Sequence, residues 1–396
     1  MEGDMGREYD VVVVGGGPAG SACARFCAER GLSVCIVEEH AAAGIPVQCA
    51  GLLSLSAFEE CRVSRASIIS TVTGARVVSS LGPVLSFDAG TPKAHVVDRA
   101  VLDREMLERA ARAGAEVRVK TAYFRRDGRR ILTRGAGGRG EIGFRILVGA
   151  DGAASSVARH AGMPRPAYIL SGLQADILHG MDGNLVEIYP DASPDFFGWA
   201  IPIGRGRARV GLAALSGTRE HFSRFLSRFS REGPCASVHL VAGGIPVGPR
   251  ARTCGNRTIL VGDAAGLAKP TSGGGVYTGI RSAAHAARTI AEAVARGRYD
   301  DGFLSRYESA WRADFGRELS AGLLLFEARR RMGPSEVAGL VRALGDPAIV
   351  SDIVSLGDMD RPWRLVRRLA LRPALFPFLG AILRSWVTKK NKNNMF

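Results

Sequence analysis

Four consecutive valines, Val11–Val14, run directly into Gly15-Gly16-Gly17-Pro18-Ala19-Gly20, and this junction constrains the fold more than any other stretch. A β-branched apolar run predicts a buried strand. Ser21–Arg30, where small and apolar residues recur at helical spacing, predicts the helix that follows. The pattern Gly15-x-Gly17-x-x-Gly20 between them suits a diphosphate. Gly15 permits the tight turn, Gly17 lets the backbone approach phosphate oxygens, and Gly20 lets helix and strand pack closely. The phosphates then face the positive end of the helix. A second strand, Ser33–Glu38, closes a βαβ unit. Its Glu38 stands 21 residues after Gly17, where a carboxylate accepts hydrogen bonds from adenosine ribose hydroxyls. Glu39 follows, which leaves that assignment open by one residue. A carboxylate there disfavours a ribose 2′-phosphate, and so favours FAD over NADP.

At 396 residues with 46% apolar content, the chain can bury a large core. Fifty glycines against 18 prolines fit an α/β protein with many tight strand–helix turns. Seven cysteines without a C-x-x-C argue against a disulfide framework or a zinc site, and Cys23 and Cys27, one turn apart, read as core packing. No histidine pair has metal-ligand spacing, so no metal is expected. No N-terminal segment joins a basic region to an apolar stretch and a cleavage site, which predicts a cytoplasmic protein.

The formal charge of +15 calls for a partner, although 6 lysines among 53 basic residues also indicate a compositional bias toward arginine. After Asp360 come nine basic residues and no acidic one, interleaved with Trp363, Leu369, Phe376, Phe378 and Trp386. Prolines and arginines interrupt the apolar content, so no spanning helix is expected. The combination predicts a segment lying on the inner surface of the cell membrane. It is too rich in Leu, Phe and Trp for a solvated nucleic-acid arm, and the chain has no nucleic-acid-binding motif.

Further along, Val101–Gly114 reads as a helix, Ala115–Val119 as a strand, 121–145 as a hairpin pair and Ile146–Gly152 as a buried strand. An amphipathic helix is predicted at Thr218–Arg231, a core strand at Thr258–Val261, a helix at Gly275–Arg296 and mostly helix over 303–388. The nucleotide-binding pieces are therefore split. The predicted boundaries are an FAD-binding domain in three parts (1–74, 98–164 and 255–302), a strand-rich substrate domain in two (75–97 and 165–254), and a helical region at 303–396. The expected class is α/β: a Rossmann-like FAD-binding domain of glutathione reductase type with an inserted β-rich domain and C-terminal helices.

Three motifs fall in order: Gly15–Gly20, Ala150-Asp151-Gly152 and Gly262-Asp263-Ala264-Ala265. In this spacing the chain resembles the FAD superfamily typified by para-hydroxybenzoate hydroxylase. Asp263 at a strand end can accept from ribityl hydroxyls, and Gly273–Gly275 open a helix whose free N–H groups can face the flavin N1–C2 edge. Within that superfamily the chain resembles the geranylgeranyl reductases, which saturate isoprenoid double bonds. Pro270-Thr271-Ser272-Gly273-Gly274-Gly275-Val276-Tyr277 is similar to their P-x-[ST]-GGG-[IV]-Y stretch, and Gly44–Gly51 to their Cys-containing loop. Phe197-Gly198-Trp199-Ala200-Ile201-Pro202 is similar to their Y-x-W-x-F-P motif, with Phe for Tyr and Ile for Phe. The archaeal members acting on digeranylgeranylglycerol phospholipids are the nearest in character.

The resemblance implies FAD contacts from Gly20, Glu38, Cys49, Ala50, Gly51, Arg99, Val119, Asp263, Gly275 and Val276, beside Gly15 and Gly17 of the fingerprint. It implies a prenyl lipid substrate passing Trp199 and Pro202, with Cys49 and Trp199 as candidate catalytic residues. It also implies an external electron donor, a small redox protein or NAD(P)H, since no second nucleotide domain is legible. Asp151 reads as architectural. The alternative is a flavin-dependent monooxygenase or halogenase of the same fold. Halogenases depend on a lysine in the first domain, and Lys93 and Lys120, the only lysines before position 269, lie outside that context.

Overall fold

The computed structural model describes residues 7–135, 138–230, 237–378 and 380. The valine run forms the strand Glu8–Val14 at the centre of an eight-stranded sheet, with Val11, Val12 and Val13 fully buried. Strands covered on both faces read as unbroken apolar runs, which is why no alternation marks this one. Its parallel neighbours are Gly138–Gly149 on one side and Val34–Val37 on the other. Thr258–Leu260 and Glu116–Arg118 extend the parallel set outward.

The first helix spans Pro18–Ala28, three residues earlier than the apolar spacing indicates, because Pro18 occupies the first turn, where a missing N–H costs nothing. The helix expected at Val101 begins instead at Arg99, since the Asp98 carboxylate accepts from the N–H groups of Ala100 and Val101. The predicted break between 145 and 146 is absent. Gly138–Gly149 is one strand whose exposed first half pairs antiparallel with Arg130–Gly135, while its buried second half joins the parallel core. Arg145 does not interrupt it, because its guanidinium reaches Asp10 at 3.0 Å.

A seven-stranded, mainly antiparallel sheet takes Gly74–Val78 and Val84–Asp88 from early in the chain and five strands between Tyr168 and Val247. The helix Thr218–Ser230 packs Phe222, Phe225 and Phe229 on one of its faces. A third sheet joins Ala94–Val97, legible as a strand, to Leu52–Ser54 and Ile68–Val72, which were not, being three and five residues long.

The helix Val276–Arg296 crosses the first helix where Ala19, Gly262 and Gly279 meet. Helices Asp301–Trp311 and Arg317–Arg329, joined by a π-helical turn at Arg312–Gly316, follow. Pro334–Leu344, Pro347–Leu356 and Trp363–Leu369 come next, before a short 3-10 turn at Pro373–Leu375. The tail residues Arg384, Trp386, Lys389, Lys390 and Lys392 lie outside the described residues.

Candidate cofactor and substrate site

Three parallel strands end side by side, and their C-terminal ends carry the three motifs: Gly15, Ala150-Asp151 and Gly262-Asp263. Clefts at such ends are where open α/β sheets bind nucleotides. Gly15 has φ +102°, and a Cβ there would run into the Ala150 carbonyl; one at Gly20 would run into the carbonyl of Gly15. Gly17 is different. Its φ of −69° suits any residue, and a Cβ would meet nothing within 4 Å. Nothing in the protein requires glycine at this position. The open space lies at the first helix N-terminus, which no side chain caps, so it is a cradle that a phosphate fits and a side chain would fill.

Glu38 is buried and holds the loop with both oxygens. Oε2 accepts from the Gly16 N–H at 2.7 Å, and Oε1 from the His40 N–H at 2.9 Å and faces His40 Nδ1 at 2.7 Å. The carboxylate thus fixes the glycine turn, and ribose hydroxyls would share oxygens already bonded to backbone. Exposed Val119 neighbours it, in the turn where Thr121 donates its N–H to the Glu38 carbonyl. Asp151 is spent on structure, accepting from Ser155 Oγ at 2.6 Å and from the N–H groups of Ser156 and Val157.

Asp263 lies over Gly275: a Cβ on that glycine would sit 2.5 Å from Asp263 Oδ1. Its carboxyl has no hydrogen-bond partner among the described residues. Burial pushes it up to about 6, against the opposing field of Arg99. An acid in that state is matched to hydroxyls arriving from a ligand. Val276 opens the 21-residue helix, whose N-cap Gly275 likewise offers no side-chain cap. Arg99 is held by Asp103 through two bonds of 2.8 Å. Burial works to lower its pKa, but Asp103 and then Cys49 more than reverse this, keeping it firmly cationic.

Cys49, Ala50 and Gly51 form the wall facing the seven-stranded sheet. Cys49 Sγ accepts from the Gly51 N–H at 3.4 Å. Gln174 Nε2 donates to the Cys49 carbonyl at 3.0 Å, and Arg209, paired with Asp176, donates to the Ala50 carbonyl at 3.2 Å. Gln174, Arg209 and Asp176 therefore carry this wall, and sequence reasoning missed them. Their signal was weak: scattered polar residues in mostly apolar strands, with nothing local to say what they meet.

Trp199 lies across Gly211 beside Gln174; a Cβ on Gly211 would overlap the indole. It bridges two clusters, one with Ile201, Ile203 and Ala50, the other with Phe196, Phe197, Leu170 and Ile245. Phe197 meets it edge-on at 6.1 Å, and Phe196 stacks on Phe197 at 4.3 Å. This aromatic face reaches the triple-glycine turn, because a Cβ on Gly273 would lie 3.4 Å from Ile245 and 3.6 Å from Phe196. Pro202 is not part of it. Side chains alternate along a strand, so Pro202 shares the opposite face with Ala200 and Ala208, which belong to the cluster of Phe222 and Phe225. Trp199 and Pro202 thus stand on opposite faces of this strand.

The family described as FAD binding domain matches residues 8–178. Digeranylgeranylglycerophospholipid reductase 2 of Methanothermobacter thermautotrophicus is 35% identical over 400 residues, covering 95% of this chain and 100% of its own. A solved geranylgeranyl bacteriochlorophyll reductase-like protein from Thermoplasma acidophilum superposes with a TM-score of 0.81 at 26% identity, over 92% of this chain and 99% of that one. The myxobacterial chondrochloren halogenase, at 20% identity and TM-score 0.68 over 95% and 98% of the two chains, shares the fold alone. FAD is the cofactor, and the open cradle at Gly17 and the unpartnered Asp263 fit it. The chain belongs to the digeranylgeranylglycerophospholipid reductase family of FAD-dependent oxidoreductases.

Proposed function

We propose that this enzyme saturates carbon–carbon double bonds in geranylgeranyl chains of membrane lipids, digeranylgeranylglycerophospholipids being the substrate class its relative is named for. The observation that carries the reading is the aromatic, apolar face of Phe196, Phe197, Trp199 and Ile245 set against the Gly273 turn. A long isoprenoid has no polar group to recognise along its length, so orientation comes from shape and dry contact.

Bound FAD supplies the hydride chemistry. The protein's own part is holding and shielding. Gly15, Gly17 and Gly20 with the first helix would hold the diphosphate, and Glu38 and Val119 would serve the adenosine end. Asp263 would take ribityl hydroxyls, and the helix N-terminus at Gly275 and Val276 would favour the anionic charge that a reduced flavin carries. Arg99, Cys49, Ala50 and Gly51 close the other side. Cys49, half-buried at the wall, is the candidate proton source for the second alkene carbon, and Trp199 the candidate guide for the chain. In this reading the parallel-sheet parts serve FAD and the seven-stranded sheet serves substrate. Electrons come from a separate donor, a small redox protein or NAD(P)H.

The exposed Trp363, Leu371 and Phe376 with Arg364 and Arg367 give the enzyme a place to rest on the membrane that holds its substrate. No helix among the described residues is long and apolar enough to cross it. The halogenase alternative lacks its lysine: Lys93 donates to the Val354 carbonyl at 3.1 Å and Lys120 sits in the turn after Val119. The deciding experiment is anaerobic. Chemically reduced enzyme is mixed with a geranylgeranyl phospholipid; flavin reoxidation with mass gains in steps of two hydrogens supports the reading. Reoxidation only by oxygen, with hydroxylation or halogenation of a phenol, sinks it.

A further inference from the structure

The turn that brings the triple glycine into the site is built on one lysine. The Lys269 N–H donates to the Gly274 carbonyl at 3.0 Å, and its own carbonyl accepts from Gly273 at 2.8 Å. Its side chain then folds beneath the turn, so that a Cβ on Gly274 would sit 3.1 Å from Cε and 3.5 Å from Nζ. The ammonium is nearly buried, and Nζ donates to Asp360 Oδ1 at 2.5 Å and to the Met359 carbonyl at 2.7 Å. Asp360 is 2% exposed. Its other oxygen accepts from Ser54 Oγ, and Ser54 ends the strand that leaves the Cys49 wall and caps the helix Leu55–Cys61.

The next residue continues the connection. Arg361 donates to Tyr277 Oη at 3.3 Å, one residue into the helix that Val276 opens, and to Asp314 at 2.9 Å. A segment of three residues, 359–361, therefore touches the glycine turn, the strand from the Cys49 wall and the start of the helix Val276–Arg296. A nearly buried pair that served stability alone would gain little from ions, because desolvation offsets their attraction. Its placement against Gly274 gives the charge another use.

We propose that Asp360 is a positioning residue of the redox site, acting through Lys269 and Ser54. It fixes the glycine turn against the Cys49 wall and sets the net charge beneath the flavin ring edge. The inference rests on FAD lying where the preceding subsection places it. With both partners present the pair is neutral. Removing the carboxylate leaves a positive charge under the turn, which favours the reduced, anionic flavin.

The test uses full-length holoenzyme and the variants Asp360→Asn, Lys269→Met and the double variant, each titrated with FAD and then poised against reference dyes for its midpoint potential. Asp360→Asn is expected to favour reduced over oxidised FAD by about tenfold, which for a two-electron couple is about 30 mV upward. Lys269→Met is expected to move it downward, and the charge-free double variant to return near wild type. Opposite shifts in the singles, cancelled in the double, support the proposal even if all three melt earlier. Equal loss of thermal stability with an unchanged potential overturns it and leaves a purely structural pair. If wild-type protein binds no FAD, it is the site reading that fails.

Discussion

Because burial lifts the Asp263 carboxyl to about 6, protonation and cofactor binding compete at this one side chain. An acid whose folded pKa is raised costs the empty protein stability as pH climbs from about 4 to 6, where the unfolded chain ionises and the folded one resists. Hydroxyls that donate to the charged form pull the pKa back down, so binding releases a proton below about pH 6. FAD affinity is expected to tighten between pH 5 and 7 and then level, followed by flavin fluorescence. Asp263→Asn should flatten that dependence; if it persists in the variant, another group is responsible. Asp263→Ala should weaken binding by about 1–3 kcal/mol, roughly 5- to 150-fold, by leaving ligand hydroxyls unpaired.

At the scale of elements, the glycine fingerprint separates into two kinds of residue. A Cβ at Gly20 meets backbone, whereas one at Gly17 meets empty space. Gly17→Val should therefore leave the cofactor-free fold intact by circular dichroism and melting temperature while abolishing the yellow colour. Gly20→Val should fail to fold. A Gly17→Val protein that purifies with FAD would refute the cradle. Trp199→Ala should reduce turnover of C20 chains, read by mass gain, more than it reduces flavin content; equal losses would mark the indole as a structural prop.

The same elements show what sequence can carry. Strand Glu8–Val14, the first helix and the Asp263 turn were legible because their residues are forced by backbone geometry, close approach or unbroken burial. Gln174 and Arg209 were not, because a polar residue in a strand gains meaning only from the carbonyl it meets some 125 to 159 positions away. Pro202 and Trp199 make a related point: a motif fixes spacing along the chain, while the pleat decides which face each residue takes.

For the whole molecule, the tail is where sequence and structure diverge most in weight. Nine basic residues after Asp360 read as one cationic segment, yet three of them are engaged with acids from earlier helices. Arg361 reaches Asp314, and both Arg368 and Arg372 reach Asp352. Long-range pairing of this kind is invisible in local charge counts. What remains outward on the described part is narrower: Arg364 and Arg367, with Trp363 39%, Phe376 53% and Leu371 72% exposed. Each arginine near an anionic surface is worth about 1 kcal/mol, an attraction screened beyond a Debye length, while the apolar side chains add a salt-resistant share. The enzyme is therefore expected to cosediment with anionic vesicles at low ionic strength, less with neutral ones, and to be partly released by salt. Arg364→Glu with Arg367→Glu should remove most of the salt-sensitive binding, and Trp363→Ala with Phe376→Ala most of the remainder. Neither pair supplies a hydrogen bond or ion pair to Asp360 or Arg361 among the described residues, so flavin content should hold in both. Full-length enzyme that ignores anionic vesicles at low salt would reduce the tail to a packed, arginine-biased cap on the helical region.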